Sequence, residues 1–217
     1  MTIAARLRTI EDRLARAAES VGRDPAGITL IAVSKGQPIE SLREVYDAGQ
    51  RHFGESRLQE ALPKIVALPP DVVWHFMGRL QSNKARRIAE VFPMIHTLEN
   101  GRQLAEIARG TTTISGLIEI NIAEEPQKVG ISPNLLDSYA QEVLNCRQVN
   151  GKGLMTVGPA VEASEAMRPY FRRMRELAAG LSGCNWLSMG MSHDFEVAIQ
   201  EGSTHIRIGT ALFGTRA

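Results

Sequence analysis

The sequence lacks the features of disulfide-bonded, membrane-spanning and nucleic-acid-binding proteins. It has two cysteines, Cys146 and Cys184, which form no C-x-x-C pair. So few cysteines exclude a disulfide framework and favour a reducing compartment, so we expect a cytoplasmic protein. No window is long and apolar enough to span a bilayer, and the first residues contain no signal-peptide apolar segment. The formal net charge of +1 provides no general attraction for nucleic acid or an anionic membrane.

What is present describes an ordinary globular protein. Hydrophobic residues make up 43% and charged residues 23% of the 217 residues, and no composition shift or linker marks a domain boundary. This length suffices for one complete α/β barrel, so we predict a single domain over residues 1–217.

Helical and strand-like patterns alternate along the chain. An amphipathic leading helix has apolar residues at steps of three and four from Ile3 to Val21, with Thr2 as a possible N-cap. Eight apolar runs predict strands at 28–34, 52–54, 73–77, 94–98, 115–122, 153–157, 186–189 and 205–208. Between them, helices are predicted at 40–48, 58–67, 83–91, 101–108, 135–144, 162–179 and 195–200. We therefore predict an α/β fold, a (β/α)8 TIM barrel with an extra N-terminal helix; an open doubly wound sheet is the alternative.

The first predicted strand ends in a lysine. The run Ile28-Thr-Leu-Ile-Ala-Val is typical of a strand buried on both faces, and Ser34 and Lys35 follow it. Ligands of parallel α/β folds bind at the carboxyl ends of strands, where a lysine can serve as an amine nucleophile toward an aldehyde. A solvated lysine at the end of a strand is the other interpretation, and this stretch alone does not exclude it.

The last two predicted strands end in glycine and hydroxyl residues. Gly190 and Ser192 follow strand seven, and Gly209 and Thr210 follow strand eight. Barrels often bind phosphate in these two loops, although glycine and serine are also common in loops that bind nothing. Arg207 interrupts the last strand, and it is either paired, outward-facing or a charged donor directed into a site.

Other charged and titratable residues point to no separate site. The five histidines have no metal-ligand spacing, and most are interpreted as strand-end packing or surface residues. A basic group on one predicted helix is interpreted as a solvated face; it comprises Arg79, Lys84, Arg86 and Arg87.

Several motifs together resemble the pyridoxal phosphate homeostasis proteins, single-domain barrels related to the N-terminal domain of alanine racemase. The resemblance extends from about the first strand to the C-terminus. It is carried by Ala32-Val-Ser-Lys35, His52-Phe-Gly-Glu55, Trp74-His-Phe-Met-Gly78, Leu80-Gln81, Gly153-Leu-Met-Thr156, Ser188-Met-Gly-Met-Ser192 and Arg207-Ile-Gly-Thr-Ala-Leu-Phe-Gly214. One departure is Ser56, where the family commonly has asparagine, which puts an amide contact to the cofactor there in doubt.

The resemblance implies a cofactor, pyridoxal phosphate, and a role for five residues. Lys35 would form an aldimine with it, and Ser192, Gly209 and Thr210 would hold its phosphate. Arg207 would face the pyridine nitrogen. An arginine only donates hydrogen bonds, so that nitrogen would stay unprotonated and the ring would be a weak electron sink.

We therefore expect a protein of intracellular pyridoxal phosphate homeostasis that holds the cofactor without substantial turnover. The racemases take a second base, a tyrosine, from an additional C-terminal domain, and this sequence ends at Ala217; Tyr46, Tyr139 and Tyr170 fall in predicted helices. The alternatives are a racemase or lyase of low activity and a barrel for another phosphorylated ligand. We expect a monomer whose partners are the cofactor and apoenzymes that need it, with no metal, nucleic acid or membrane.

Overall fold

The computed structural model describes residues 1–214, in which eight parallel strands close into a barrel. Each strand pairs with the next, and β1 pairs with β8. The strands are β1 (Thr29–Val33), β2 (His52–Glu55), β3 (Val73–Phe76), β4 (Met94–Leu98), β5 (Ile114–Glu119), β6 (Val149–Met155), β7 (Trp186–Met191) and β8 (His205–Ile208).

Helices surround the barrel and confirm the predicted (β/α)8 fold. They are α1 (Ile3–Glu19), α2 (Ile39–Asp47), α3 (Leu58–Ala67), α4 (Ser82–Val91), α5 (Gly101–Ile107), α6 (Leu136–Asn145), α7 (Arg168–Ala179), α8 (Phe195–Gln200) and α9 (Thr210–Phe213). The leading helix α1 packs beside α8 and α2, so it lies against the barrel wall. Its N-cap is Thr2, as predicted, because the Thr2 side chain accepts a hydrogen bond from the Ala5 amide.

Some predicted boundaries were wrong. β6 begins at Val149 rather than at residue 153, because its polar first half is held by backbone pairing with β5 rather than by burial. β5 ends at Glu119, before the predicted residue 122. α7 begins at Arg168, after a 3-10 turn (Ser164–Met167), because a proline favours the first turn of a helix. The stretch after β8 forms the one-turn helix α9.

Residues of opposite character alternate along β8. Ile206 and Ile208 join the hydrophobic core shared by strands and helices, whereas His205 and Arg207 occupy the alternate positions and face the barrel interior. Both of these polar side chains are buried. The interior of this barrel is therefore partly polar, whereas aliphatic layers are usual. No helix within residues 1–214 is both long and apolar enough to cross a membrane.

Candidate functional site

A cavity of about 390 Å³ opens at the carboxyl ends of the strands. All five residues that the sequence singled out for ligand binding line it, so the fold brings them together. Ser56, Met77, Met155, Val157, Met191 and His193 contribute further to its wall. The lining residues that belong to the predicted set are Lys35, Ser192, Arg207, Gly209 and Thr210.

Lys35 is the second residue after β1 and is half-buried. The preceding residue is held in place from two sides. The Ser34 hydroxyl donates to Glu55 Oε1 over 2.7 Å, and Lys64 Nζ donates to the Ser34 carbonyl oxygen over 2.7 Å. Lys64 Nζ also lies 2.6 Å from Glu55 Oε1. This buried network fixes the end of β1, and with it the backbone from which the Lys35 side chain enters the cavity.

The loops after β7 and β8 are joined by a hydrogen bond. The Ala211 amide in the first turn of α9 donates to Ser192 Oγ over 3.1 Å. Within the β7 loop, the Met191 amide donates to Asp194 Oδ1 over 2.7 Å, which closes a tight turn. Ser192 and Thr210 thereby lie on adjacent, mutually supported loops, an arrangement suited to a phosphate group.

Gly190 has a structural explanation that the sequence did not indicate. Its φ of +94° favours glycine, and a Cβ there would lie 2.5 Å from the Ala198 Cβ in α8. The space beside Gly190 is thus filled by a helix and not by the cavity. A Cβ on Gly209 would meet only ordinary contacts with Val33, so the backbone there tolerates a side chain.

Arg207 is buried, with 5% of its surface exposed. Its Nη1 donates to Ser188 Oγ and its Nη2 to the Thr156 carbonyl oxygen, each over 2.8 Å. Burial lowers the pKa of Arg207 to about 10, against the opposing attraction of Glu119 and Asp194. The guanidinium therefore remains charged near neutral pH, as a fixed donor at the floor of the cavity.

Glu119 is a buried carboxyl group at the end of β5. It lines a second cavity of about 360 Å³, which shares Met77 and Val157 with the first and also includes Arg79 and Lys128. Burial, reinforced by the charge of Glu99, raises the pKa of Glu119 to about 7, and the charge of Arg207 opposes this shift. Sequence patterns gave no sign of this group, because one acidic residue at a strand end is common.

Ser56 contributes an unpaired hydroxyl to the first cavity. Its Oγ is shielded from solvent and has no hydrogen-bond partner within the described chain. Buried polar groups are nearly always paired, so an unpaired one in a cavity wall marks a place where a ligand can bind. The sequence indicated Ser56 as a departure from the family pattern.

The interpretation of most histidines as strand-end packing or surface residues was wrong for His75 and His96, which lie within β3 and β4, whereas His205 begins β8. His75, His96 and His205 are buried inside the barrel, where barrels usually have aliphatic residues. His193 is exposed and lines the cavity, and His52 is half-buried at the start of β2. Among residues 1–214, no group of three or more potential ligands is arranged to hold a metal ion.

The chain is similar to a family model, to curated proteins and to solved structures. The family model for the N-terminal domain of alanine racemase matches residues 6–217. The pyridoxal phosphate homeostasis protein of Aquifex aeolicus is 41% identical, with 100% of this chain and 99% of that protein covered. A structure described as that of an unknown protein from Bifidobacterium adolescentis is similar, with a TM-score of 0.91 and 31% identity over 97% of this chain and 94% of the other. PipY of Synechococcus elongatus PCC7942, with PLP bound, has a TM-score of 0.81 and 34% identity over 98% of this chain and 100% of the other.

Proposed function

This chain belongs to the pyridoxal phosphate homeostasis protein family, and on that basis we propose that it binds pyridoxal phosphate and takes part in cellular homeostasis of that cofactor. The observation that carries the proposal is the convergence of Lys35, Arg207 and the β7 and β8 loops on one cavity. The structural relative PipY has been solved with this cofactor bound, which supports the same ligand here.

The residues of the cavity fit the cofactor group by group. Ser192 and Thr210 provide hydroxyl groups for the phosphate, on the two loops where barrels often bind one, and Gly209 adds backbone beside them. The unpaired Ser56 hydroxyl is available for a polar atom of the ligand. Met77 and Met155 supply apolar surface suited to a flat aromatic ring.

Lys35 and Arg207 are proposed to decide what happens to the bound ligand. Pyridoxal phosphate supplies an aldehyde that condenses reversibly with a primary amine, and Lys35 Nζ is the amine in this cavity. Arg207 can only donate hydrogen bonds, so it would hold the pyridine nitrogen as an unprotonated acceptor. An unprotonated ring withdraws electrons weakly, so these residues favour holding the cofactor over carbanion chemistry.

The partners that follow from this function are enzymes that need the cofactor. Transfer to them requires that the covalent link to Lys35 be reversible, which an amine and an aldehyde provide. We propose that the protein acts as a monomer in the cytoplasm.

Reduction with borohydride tests the role of Lys35. The purified protein is mixed with pyridoxal phosphate and reduced, and the modified peptide is identified by mass spectrometry. We expect one cofactor on Lys35, and no label there in Lys35→Ala. Lys84→Ala is the control, because Lys84 is an exposed lysine on α4. Labelling spread equally over many lysines, or unchanged in Lys35→Ala, would contradict the assignment.

One observation favours a second function, a racemase or lyase of low activity. The His193 side chain lines the same cavity, so Lys35 is not the only acid or base within reach of a bound ligand. The three tyrosines lie in α2, α6 and α7, and two of them donate away from the cavity, Tyr46 to Asp71 and Tyr139 to the Asn100 carbonyl. Incubation of the cofactor-loaded protein with amino acids in D₂O separates the two functions. Rapid hydrogen–deuterium exchange at the Cα of the amino acid, lost in His193→Gln, would require an enzyme.

A further inference from the structure

A continuous chain of side-chain hydrogen bonds crosses the barrel interior and ends at Arg207. His52 Nδ1 lies 3.0 Å from His75 Nε2, and His75 Nδ1 lies 2.9 Å from His96 Nε2. His96 Nδ1 lies 2.9 Å from Ser188 Oγ, which accepts from Arg207 Nη1. We call His52, His75, His96 and Ser188 the histidine chain. It begins at the amino end of β2, near the opposite mouth of the barrel from the ligand cavity.

The hydrogen bond between Ser188 and Arg207 sets the donor-to-acceptor direction of every hydrogen bond in the histidine chain. A guanidinium group has no acceptor, so Ser188 Oγ must accept from Arg207, and its own proton is free to donate. Among residues 1–214, His96 Nδ1 is the other partner of that hydroxyl, so the hydroxyl donates there. A neutral His96 then carries its proton on Nε2.

The same argument runs through the next two rings. The Nε2–H of His96 donates to His75 Nδ1, so the proton of a neutral His75 also lies on Nε2. That proton donates to His52 Nδ1. Each ring is thus assigned one tautomer, and each bond in the histidine chain has both a donor and an acceptor. A proton added to His96 would put a second donor against the Ser188 hydroxyl and break this arrangement.

We propose that the histidine chain is a positioning device for Arg207, in which Ser188 and His96 hold the guanidinium in the orientation that presents its remaining N–H groups to the ligand cavity. Its effect on ligand binding rests on the proposed function. His52, His75, His96 and Ser188 do not line the cavity, so they act through Arg207 and not by contact with the ligand.

The surroundings of Arg207 support this role. No carboxylate within residues 1–214 accepts a hydrogen bond from its guanidinium, whose two partners are Ser188 Oγ and the Thr156 carbonyl. Neutral acceptors restrain a buried cation without cancelling its charge. This restraint requires the rings of the histidine chain to be neutral. Burial favours the neutral form, because it lowers the pKa of both His75 and His96 well below the usual value. A buried, satisfied network of this kind limits the orientations of its members.

Ring-nitrogen NMR of the unmodified protein tests the direction of the histidine chain. Long-range ¹⁵N–¹H correlation spectra distinguish the two neutral tautomers and the imidazolium form of each histidine. We expect His75 and His96 to be neutral Nε2–H tautomers near neutral pH, with and without pyridoxal phosphate. An Nδ1–H tautomer or an imidazolium form of His96 would overturn the proposal.

A pair of variants tests the effect on the ligand. Ser188→Ala removes the link between His96 and Arg207, so we expect the affinity for pyridoxal phosphate to fall about tenfold. His205→Asn is the matched control, because His205 is a buried ring of the same barrel that bonds to Thr204 and not to the histidine chain. It should leave the affinity within about twofold and the tautomers of His75 and His96 unchanged.

The outcomes separate this proposal from the proposed function. An affinity of Ser188→Ala within about twofold of the unmodified protein would overturn the positioning role. If Ser188→Ala does not fold, Ser188→Thr, which keeps the hydroxyl, should retain the affinity, and a loss there counts against the proposal. Failure of the unmodified protein to bind the cofactor would contradict the proposed function, and the tautomers would then still decide whether the histidine chain exists.

Discussion

Lys64 Nζ and Glu55 Oε1 lie 2.6 Å apart, and the side chains are 7% and 0% exposed. This ion pair joins α3 to β2 beneath the end of β1, next to the residue that precedes Lys35. Water cannot replace either partner there, so each charge depends on the other. The position of Lys35 therefore depends on two residues that do not line the cavity.

Loss of one partner of that pair should be strongly destabilising. Lys64→Met leaves the Glu55 carboxylate buried without its cation, so we expect the free energy of unfolding to fall by about 3–5 kcal/mol. Urea denaturation measures the change. The double variant Glu55→Gln/Lys64→Met should recover most of it, because no uncompensated charge remains. Arg86→Ala, which removes an exposed ion pair with Glu90, should change stability by less than about 1 kcal/mol; an equally small change in Lys64→Met would contradict the prediction.

Glu119→Gln should stabilise the protein at high pH and have little effect in acid. The pKa of Glu119 is raised from 4.5 to about 7, so the folded protein holds a proton that the unfolded chain releases between these values. The stability that this proton contributes is fully present below about pH 4.5 and is lost as the pH rises through about 7. Glutamine mimics the protonated form, so at about pH 8 the variant should be more stable by on the order of 3 kcal/mol. Equal stability of variant and parent at that pH would contradict the burial of this charge.

The buried histidines should make the protein less stable in mild acid. Burial lowers the pKa of His205 to about 4, and burial with neighbouring rings lowers the pKa of His75 and His96 well below 6.5. Below about pH 6.5 the unfolded chain takes up protons that the folded one cannot, so the free energy of unfolding falls as the pH decreases. Each ring that stays neutral contributes about 2 kcal/mol to the loss between pH 6.5 and 5. Denaturation is best measured in the Glu119→Gln background, because titration of Glu119 raises the stability as the pH falls over the same range. His193→Gln is the control for replacement of an exposed histidine.

Ser56→Ala should separate ligand binding from stability. The Ser56 hydroxyl is buried and unpaired within the described residues, so its removal costs no hydrogen bond in the free protein. We expect the free energy of unfolding to stay the same or rise by up to about 1 kcal/mol, while the affinity for pyridoxal phosphate falls several-fold. Calorimetry and ligand titration give the two values. A variant with unchanged affinity would show that the hydroxyl makes no contact with the ligand.

Local patterns predicted most elements because local forces set them. The bounds of β4, β8, α3 and α8 match the predicted ones, since each has an apolar pattern with polar or breaking residues at its ends. The prediction was wrong at β6, whose first residues Val149 to Lys152 lack an apolar run. Backbone pairing with β5 decides that boundary, and pairing partners that are distant in the chain leave no local signal.

Part of the candidate site could also be predicted from the sequence, because some of its residues lie directly after predicted strands. Lys35, Ser192 and Thr210 each follow a strand, and a closed parallel barrel places all such ends at one rim. Lys64 gave no such signal, because a lysine on an amphipathic helix usually faces solvent. Only the packing of α3 over β2 shows that its ammonium group is buried.

The amino-acid sequence determined the alternation of strands and helices and the kinds of chemical group at the strand ends, because both depend on neighbours along the chain. Closure of the barrel decided the rest, since it places β8 beside β1 and directs alternate side chains inward. His96 meets Ser188 across 92 residues of sequence, and His75 meets His96 across 21. Contacts of that kind depend on strand tilt and on which face of each strand points inward. The tertiary structure alone therefore decided that four scattered polar residues hold Arg207 from within the barrel.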